Sequence, residues 1–217
     1  MRTSISLLVF LLFFVLANFS FAGISHVKTY PGYRLNDSIG KANDAESVEK
    51  AVSNYLKSHE KEFGIKSKEL QLKSSYFSCG NYYLIYEQYH SEIPVHTSKV
   101  GIKVATDGTI KKVGVHFYLN FPSSFPYTIT NDNAMNIAKN LFKDHLDESV
   151  KVESSSMIIV PDDKENCYTL CWKVELSNLE AGKGEAFYID ANKGSLVHKE
   201  ETIRKSINGT VEGSIWL

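Results

Sequence analysis

Twice along this chain the spacing of apolar residues changes from a helical period to a strand period, in that order both times. A helix stripe and a sheet face each need another apolar surface, so the pattern predicts a helix laid on a sheet, twice over. In the first passage Asp44 is the candidate N-cap. Val48, Val52, Tyr55, Leu56 and Phe63 form one stripe, and Gly64 closes the helix as a C′ glycine. Leu70 and Leu72 then alternate with polar residues. The segment 76–89 is rich in Tyr and Phe, and Val100, Ile102 and Val104 alternate with Lys99, Gly101 and Lys103. Asp107-Gly108 signals a hairpin, from which Val113, Val115 and Phe117 return.

The second passage repeats the plan. Thr130 is the candidate N-cap, and Ala134, Ile137, Ala138, Leu141 and Phe142 give the helical stripe. Met157 to Val160 reads as a short strand. Leu170, Trp172, Val174 and Leu176 alternate cleanly, with Trp172 facing inward. Ala181 to Gly184 turns the chain, and Phe187, Ile189 and Ala191 make the next strand, also with Ile189 inward. Asn192-Lys193-Gly194 turns again, and Leu196-Val197 returns. Helix start and glycine turn lie 63 residues apart in the first half, Asp44 to Asp107, and 62 in the second, Thr130 to Asn192. The fold class expected is α+β, with two helix-on-antiparallel-sheet modules. Pro122 and Pro126 bracket Ser123-Ser124 and mark the boundary, giving units over 44–122 and 127–204 after an extended lead-in at 23–43. A length of 217 residues suits two such units, and a net charge of −1 argues against a nucleic-acid binder.

Residues 1–22 have the layout of a secretory signal peptide. Met1-Arg2 is a basic start, Leu7 to Ala17 is apolar, and Ser20-Phe21-Ala22 puts small residues before a cleavage point at Gly23. The apolar run is shorter than the roughly 20 residues a membrane span needs. A secreted, extracellular protein with no membrane span is therefore expected. Secretion makes Asn36-Asp-Ser38 and Asn208-Gly-Thr210 candidate glycosylation sites. It also permits disulfides, but there are three Cys, an odd number. Cys167 and Cys171 are four strand steps apart, about 13 Å, beyond disulfide reach unless Cys167 lies in the preceding turn. Cys79 with Cys167 or with Cys171 is the other pairing, and at least one thiol is free or joins another chain.

Two stretches resemble known families. The segment from Gln88 through Glu92-Ile93-Pro94-Val95 looks like the Gln…Gly-Ile-Pro-Val core of the fungalysin/thermolysin propeptide (FTP) domain, with Glu92 where the family has Gly. The Asp107-Gly108 hairpin fits the ending of that domain. The second half resembles a PepSY domain, in its strand around Trp172 and in the run Tyr188-Ile189-Asp190-Ala191-Asn192-Lys193-Gly194. The resemblance covers about residues 44–205. It implies cystatin-like modules in the order found in prosegments of secreted thermolysin-like zinc metallopeptidases.

A zinc peptidase of that kind needs His-Glu-x-x-His, and none of the seven His begins that motif. His90 and His96 flank Pro94 and read as polar residues beside a tight turn rather than a metal pair. No catalytic residue, metal ligand or cofactor is expected, and the chain is not expected to be an enzyme. The resemblance implies a secreted propeptide-like protein, chaperone and inhibitor of a zinc metallopeptidase domain in cis or in trans. Residues 205–217 would be the tail or linker toward that domain's cleft. Two alternatives remain open: a truncated zymogen whose peptidase domain lies downstream, and a stand-alone secreted adhesion or binding module.

Overall fold

The structure, a computed structural model of the chain, describes residues 28–29, 38–40, 44–142, 150–162, 164–178 and 182–202. The leader at 1–22, both sequons' Asn36 and Asn208, and the tail at 205–217 lie outside the described residues.

The first sheet is antiparallel with strand order β1-β6-β5-β3-β2. Its strands are β1 (Lys28–Thr29), β2 (Leu70–Ser78), β3 (Asn81–His90), β5 (Lys99–Ala105) and β6 (Ile110–His116), while the two-residue β4 (Ile93–Pro94) pairs with the end of β3. The lead-in thus supplies a strand to this sheet, and Ser38 makes a further bridge to Thr109. Helix α1 (Ala45–Ser58) lies on one face. It starts at Asp44 with a reciprocal capping box: the Ser47 amide donates to the Asp44 carboxylate at 2.8 Å, and the Asp44 amide donates to the Ser47 hydroxyl at 3.3 Å. The expected single helix is broken at His59, and a separate turn, α2 (Glu60–Phe63), carries the stripe on to Gly64, whose φ of +66° ends it. Val48, Val52, Tyr55, Leu56 and Phe63 pack on Leu84, Tyr86, Val100, Ile102, Val104, Val113 and Val115.

The second sheet has the order β10-β9-β8-β7, all antiparallel, with β7 (Val150–Asp162), β8 (Cys167–Asn178), β9 (Lys183–Asp190) and β10 (Leu196–Glu201). Helix α3 (Asn131–Leu141) starts at Thr130 and packs Ala134 and Ala138, followed by Phe142, against Val174, Leu176, Phe187 and Ile189. Two alanines let the helix approach closely, and the aromatic pair of Phe142 and Phe187 fills the end of the layer at 6.2 Å, edge to face. Trp172 and Ile189 are direct cross-strand partners on this face.

Strand β7 has 13 residues rather than the four expected at Met157–Val160. Its first half, Val150 to Ser156, runs along the edge of the sheet, where solvent takes the place of one neighbour. A polar serine run there carries no alternating signal. The segment between the modules is not a loose tether. Tyr118 is buried, Phe121 and Phe125 pack with Tyr168 and Trp172, and the Tyr168 hydroxyl donates to the Leu119 carbonyl at 2.5 Å. Ser123 and Ser124 are exposed. Among the described residues no helix is long and apolar enough to cross a membrane.

Candidate functional site

The residues that carry the FTP-like resemblance build the joint between the two sheets. Gln88 is fully buried. Its Oε1 accepts from the Tyr118 amide at 2.9 Å, and its Nε2 donates to the Tyr118 carbonyl at 2.7 Å and to Glu69 at 3.0 Å. One amide side chain therefore reproduces a two-way strand pairing with a segment 30 residues away. The following turn places both Ser91 and Glu92 at positive φ, 49° and 67°. Glycine is the residue that takes such angles without strain, and neither position is glycine here. Ile93, Pro94 and Val95 then carry the chain across to the second sheet. Val95 bridges Ile159 of β7, and the His96 amide donates to the Ile159 carbonyl at 2.8 Å.

Gly108 has φ +84°, and a Cβ there would sit 1.9 Å from the Gly40 carbonyl oxygen, so the lead-in closes over this hairpin only because the position is glycine. The Asp107 carboxylate accepts from the Thr109 amide at 2.9 Å, which holds it below the usual carboxylate range. In the second module Asp190 accepts from the Asn192 and Lys193 amides at 2.8 and 2.9 Å, and the Gly194 amide donates to the Asp190 carbonyl at 2.9 Å. The Trp172 indole donates to the Ile129 carbonyl at 2.8 Å and ties the entry of α3 to the sheet. These motif residues act on architecture. Tyr188 differs from them in that its hydroxyl, on the side of the sheet away from the helix, donates to Glu200.

On that side, Lys173, Glu175, Ser154 and Ser156 surround a small apolar floor of Ile158, Val160, Cys171, Ala186 and Tyr188. Residues two apart on a strand share a face, so His198 and Glu200 of β10 both join this surface. His198 is the register partner of Tyr188. His96, delivered from the first module by the Pro94-Val95 corner, lies over Tyr188 at 4.7 Å between ring centroids, and His198 lies at 5.2 Å. The two imidazoles converge on one carboxylate oxygen: His96 Nε2 is 3.4 Å and His198 Nε2 3.2 Å from Glu200 Oε1. The other oxygen, Oε2, accepts from the Tyr188 hydroxyl at 2.9 Å. Burial holds His96 below the usual imidazole range although Glu200 pulls the other way. Burial alone would raise Glu200, but the Tyr188 hydroxyl and the two imidazoles together hold it below the carboxylate range. Beside the cluster opens a cleft of about 610 Å³ between the modules, lined by Lys73, Glu87 and Tyr89 from one side, His96 at the joint, and Ser156 and Lys173 from the other.

The sequence reading took His90 and His96 as polar residues beside a tight turn and not as a metal pair. The structure turns His90 away to stack on Phe121 at 4.4 Å, and brings His96 to His198 and Glu200. The one signal for that cluster was His198-x-Glu200 on a strand, two ligand-type residues on one face. The disulfide of Cys79 with Cys167 or Cys171 is not formed, and all three thiols are free. Cys79 sits in the β2–β3 turn of the first sheet. Cys167 and Cys171 both lie on β8, four residues apart on a straight strand, which also closes the route by way of a preceding turn. Burial pushes the Cys171 thiol up to about 12, so it is inert packing rather than a nucleophile.

No protein family matches the chain, and no curated protein matches it. Solved structures similar to this chain include the following two. The Bacillus megaterium YpeB C-terminal domain is 15% identical with a TM-score of 0.42, over 76% of this chain and 67% of that one. A "putative lipoprotein" from Clostridium difficile 630 is 13% identical with a TM-score of 0.27, over 79% of this chain and 99% of that one.

Proposed function

We propose that this chain is a secreted, non-catalytic propeptide-like protein that assists folding of a zinc metallopeptidase domain and occludes its active-site cleft, in cis or in trans. The observation that carries the reading is the free edge of β2. Among the described residues this nine-residue strand pairs with β3 alone, and Leu72, Tyr76 and Phe77 on it are exposed. An unpaired edge of nine residues that carries three exposed apolar side chains is a template for strand addition, the means by which an extended segment of another protein is bound. Aromatic pairs stiffen it: Tyr76 stacks on Tyr83 at 5.0 Å and Phe77 leans on Tyr82 at 4.8 Å. Such an edge can pair with the strand that borders a peptidase's substrate cleft. Binding there stabilises the native peptidase over its unfolded chain, by mass action, and blocks substrate by the same contact. The two-module order inferred from the motifs supports the same assignment, and a total interface of about 1,600 Å² suffices.

The test is a progress curve of a secreted thermolysin-like peptidase with the purified chain added in trans, alongside the yield of that enzyme on refolding. Slowed cleavage and a raised yield are expected. Leu72→Lys with Phe77→Lys, which places charge on the edge, should abolish both while leaving the far-ultraviolet circular dichroism spectrum unchanged. No slowing and no gain in yield at micromolar chain, across several such peptidases, would give precedence to a binding module with other partners.

A further inference from the structure

We infer that His96, His198 and Glu200 form a binding site for a divalent metal ion of the zinc class, shared between the two modules and locking them together. Two imidazoles and a carboxylate are a zinc-type ligand set, one that leaves a fourth position open, and imidazole selects zinc, copper or nickel over calcium and magnesium. The spacing fits. A tetrahedral ion with bonds of about 2.0–2.1 Å separates its ligand atoms by about 3.4 Å. Glu200 Oε1 stands 3.4 Å from His96 Nε2 and 3.2 Å from His198 Nε2. The three ligand atoms all lie within 4.8 Å of one another, so the remaining edge closes by at most about 1.4 Å. Rotation of His198, whose side chain is 45% exposed, supplies that movement.

The surroundings are those of a supported site. Tyr188, buried beneath both imidazoles, donates to Glu200 Oε2 and leaves Oε1 for the ion, the role a supporting hydrogen bond has around a metal ligand. The backbone of His96 is fixed by its bond to Ile159. Lys173, a cation on this face, is engaged by Glu175 at 2.5 Å. On binding, each imidazole presents its Nε2 lone pair and keeps its proton on Nδ1, and any second proton leaves to solvent. A surface ion pair needs one imidazole per carboxylate. Two Nε2 atoms from different modules aimed at one oxygen is the arrangement an ion would complete.

This site does not depend on the peptidase reading, because the purified chain alone reports on it. Titration calorimetry with zinc chloride should show uptake of one equivalent. The cobalt-substituted chain should show the intense visible bands of a four-coordinate ion. His96→Ala and His198→Ala should each weaken uptake by no less than the roughly 10–100-fold that loss of a supporting group costs, and Tyr188→Phe by an amount within that range. Lys199→Ala should leave it unchanged. His198 is exposed, so its variant keeps the fold, which circular dichroism verifies even where His96→Ala loosens the joint. Absence of uptake at tens of micromolar zinc overturns the inference. So does uptake that survives both histidine substitutions, or a preference for calcium over zinc.

Discussion

The two sheets share a plan and differ in how many faces they bury. In the first, the helix side is dry, and the other side is a half-buried surface of Tyr83, Ile85 and Lys103, where Lys103 lies over the Tyr83 ring at 5.3 Å. In the second, Val174, Leu176, Phe187 and Ile189 fill the helix side, and Cys171, Ala186 and Tyr188 are buried on the opposite side as well. A one-sided sheet stays open at its edge and on its outer face, which suits it to take a partner strand. A two-sided sheet gives a firm floor on which polar groups are held in place. The cluster of His96, His198 and Glu200 stands on that floor, with His96 supplied by the first module.

The sharpest way to break this comparison is to truncate a tyrosine on the outer face of each sheet. Tyr188 is 1% exposed, so Tyr188→Ala should cost about 3–5 kcal/mol, the range for large aromatic deletions in a core. Tyr83→Ala removes a stack on Tyr76 at a half-exposed position and should cost about 1 kcal/mol. Ile189→Ala, on the helix side of the second sheet, sets the scale at about 2–5 kcal/mol, and Lys193→Ala in the adjoining turn should stay under about 0.5 kcal/mol. Urea melts measure all four. Equal costs for the two tyrosines would mean that the second sheet has one buried face.

The joint is the next place to press. Gln88→Ala strips the Tyr118 amide and carbonyl of their buried partner and should cost about 1–3 kcal/mol. Because Gln88 also precedes the corner that carries Val95 to Ile159, the loss should split one urea transition into two if the joint is what couples the modules. A single transition of undiminished steepness would place the coupling in the Phe121–Tyr168 packing instead.

Most of the helix-side core was legible in the sequence, because alternation is strong where one face is dry and the other wet. Val100, Ile102 and Val104 are such a case, and in the second sheet Trp172, Val174 and Leu176 are legible because Lys173 and Glu175 stand between them on a face otherwise buried. Strand β7 was read at less than a third of its length, since Glu153 to Ser156 lies at an edge and satisfies its side chains outside the core: the Ser154 hydroxyl donates to Glu175 and the Ser155 hydroxyl to Asn131. The break at His59 was hidden by an apolar stripe that runs on past it to Phe63. The cluster was missed for a different reason. Its three members come from two modules, 102 and 104 residues apart in sequence, and local pattern carries no information on such a juxtaposition. His90, the nearer partner for His96 in sequence, is drawn off by the ring of Phe121.

The smallest expected difference between the modules lies at their helix starts. Asp44 and Ser47 satisfy each other's amides, and the Asp44 bond of 2.8 Å is charge-assisted. Thr130 makes one bond, to the Asn133 amide, at 3.3 Å. Truncating a capping side chain costs about 0.5–2 kcal/mol. Asp44→Ala should fall in the upper half of that range and Thr130→Ala in the lower. The carboxylate also favours the positive end of the helix dipole, a contribution that salt screens, so the gap between the two variants should narrow as sodium chloride is raised. A gap that persists unchanged in high salt would assign it to bond geometry alone. A reversed order would mean that the 11 residues of α3 depend on their cap more than the 14 of α1, because a shorter helix has fewer internal bonds to offset a frayed first turn.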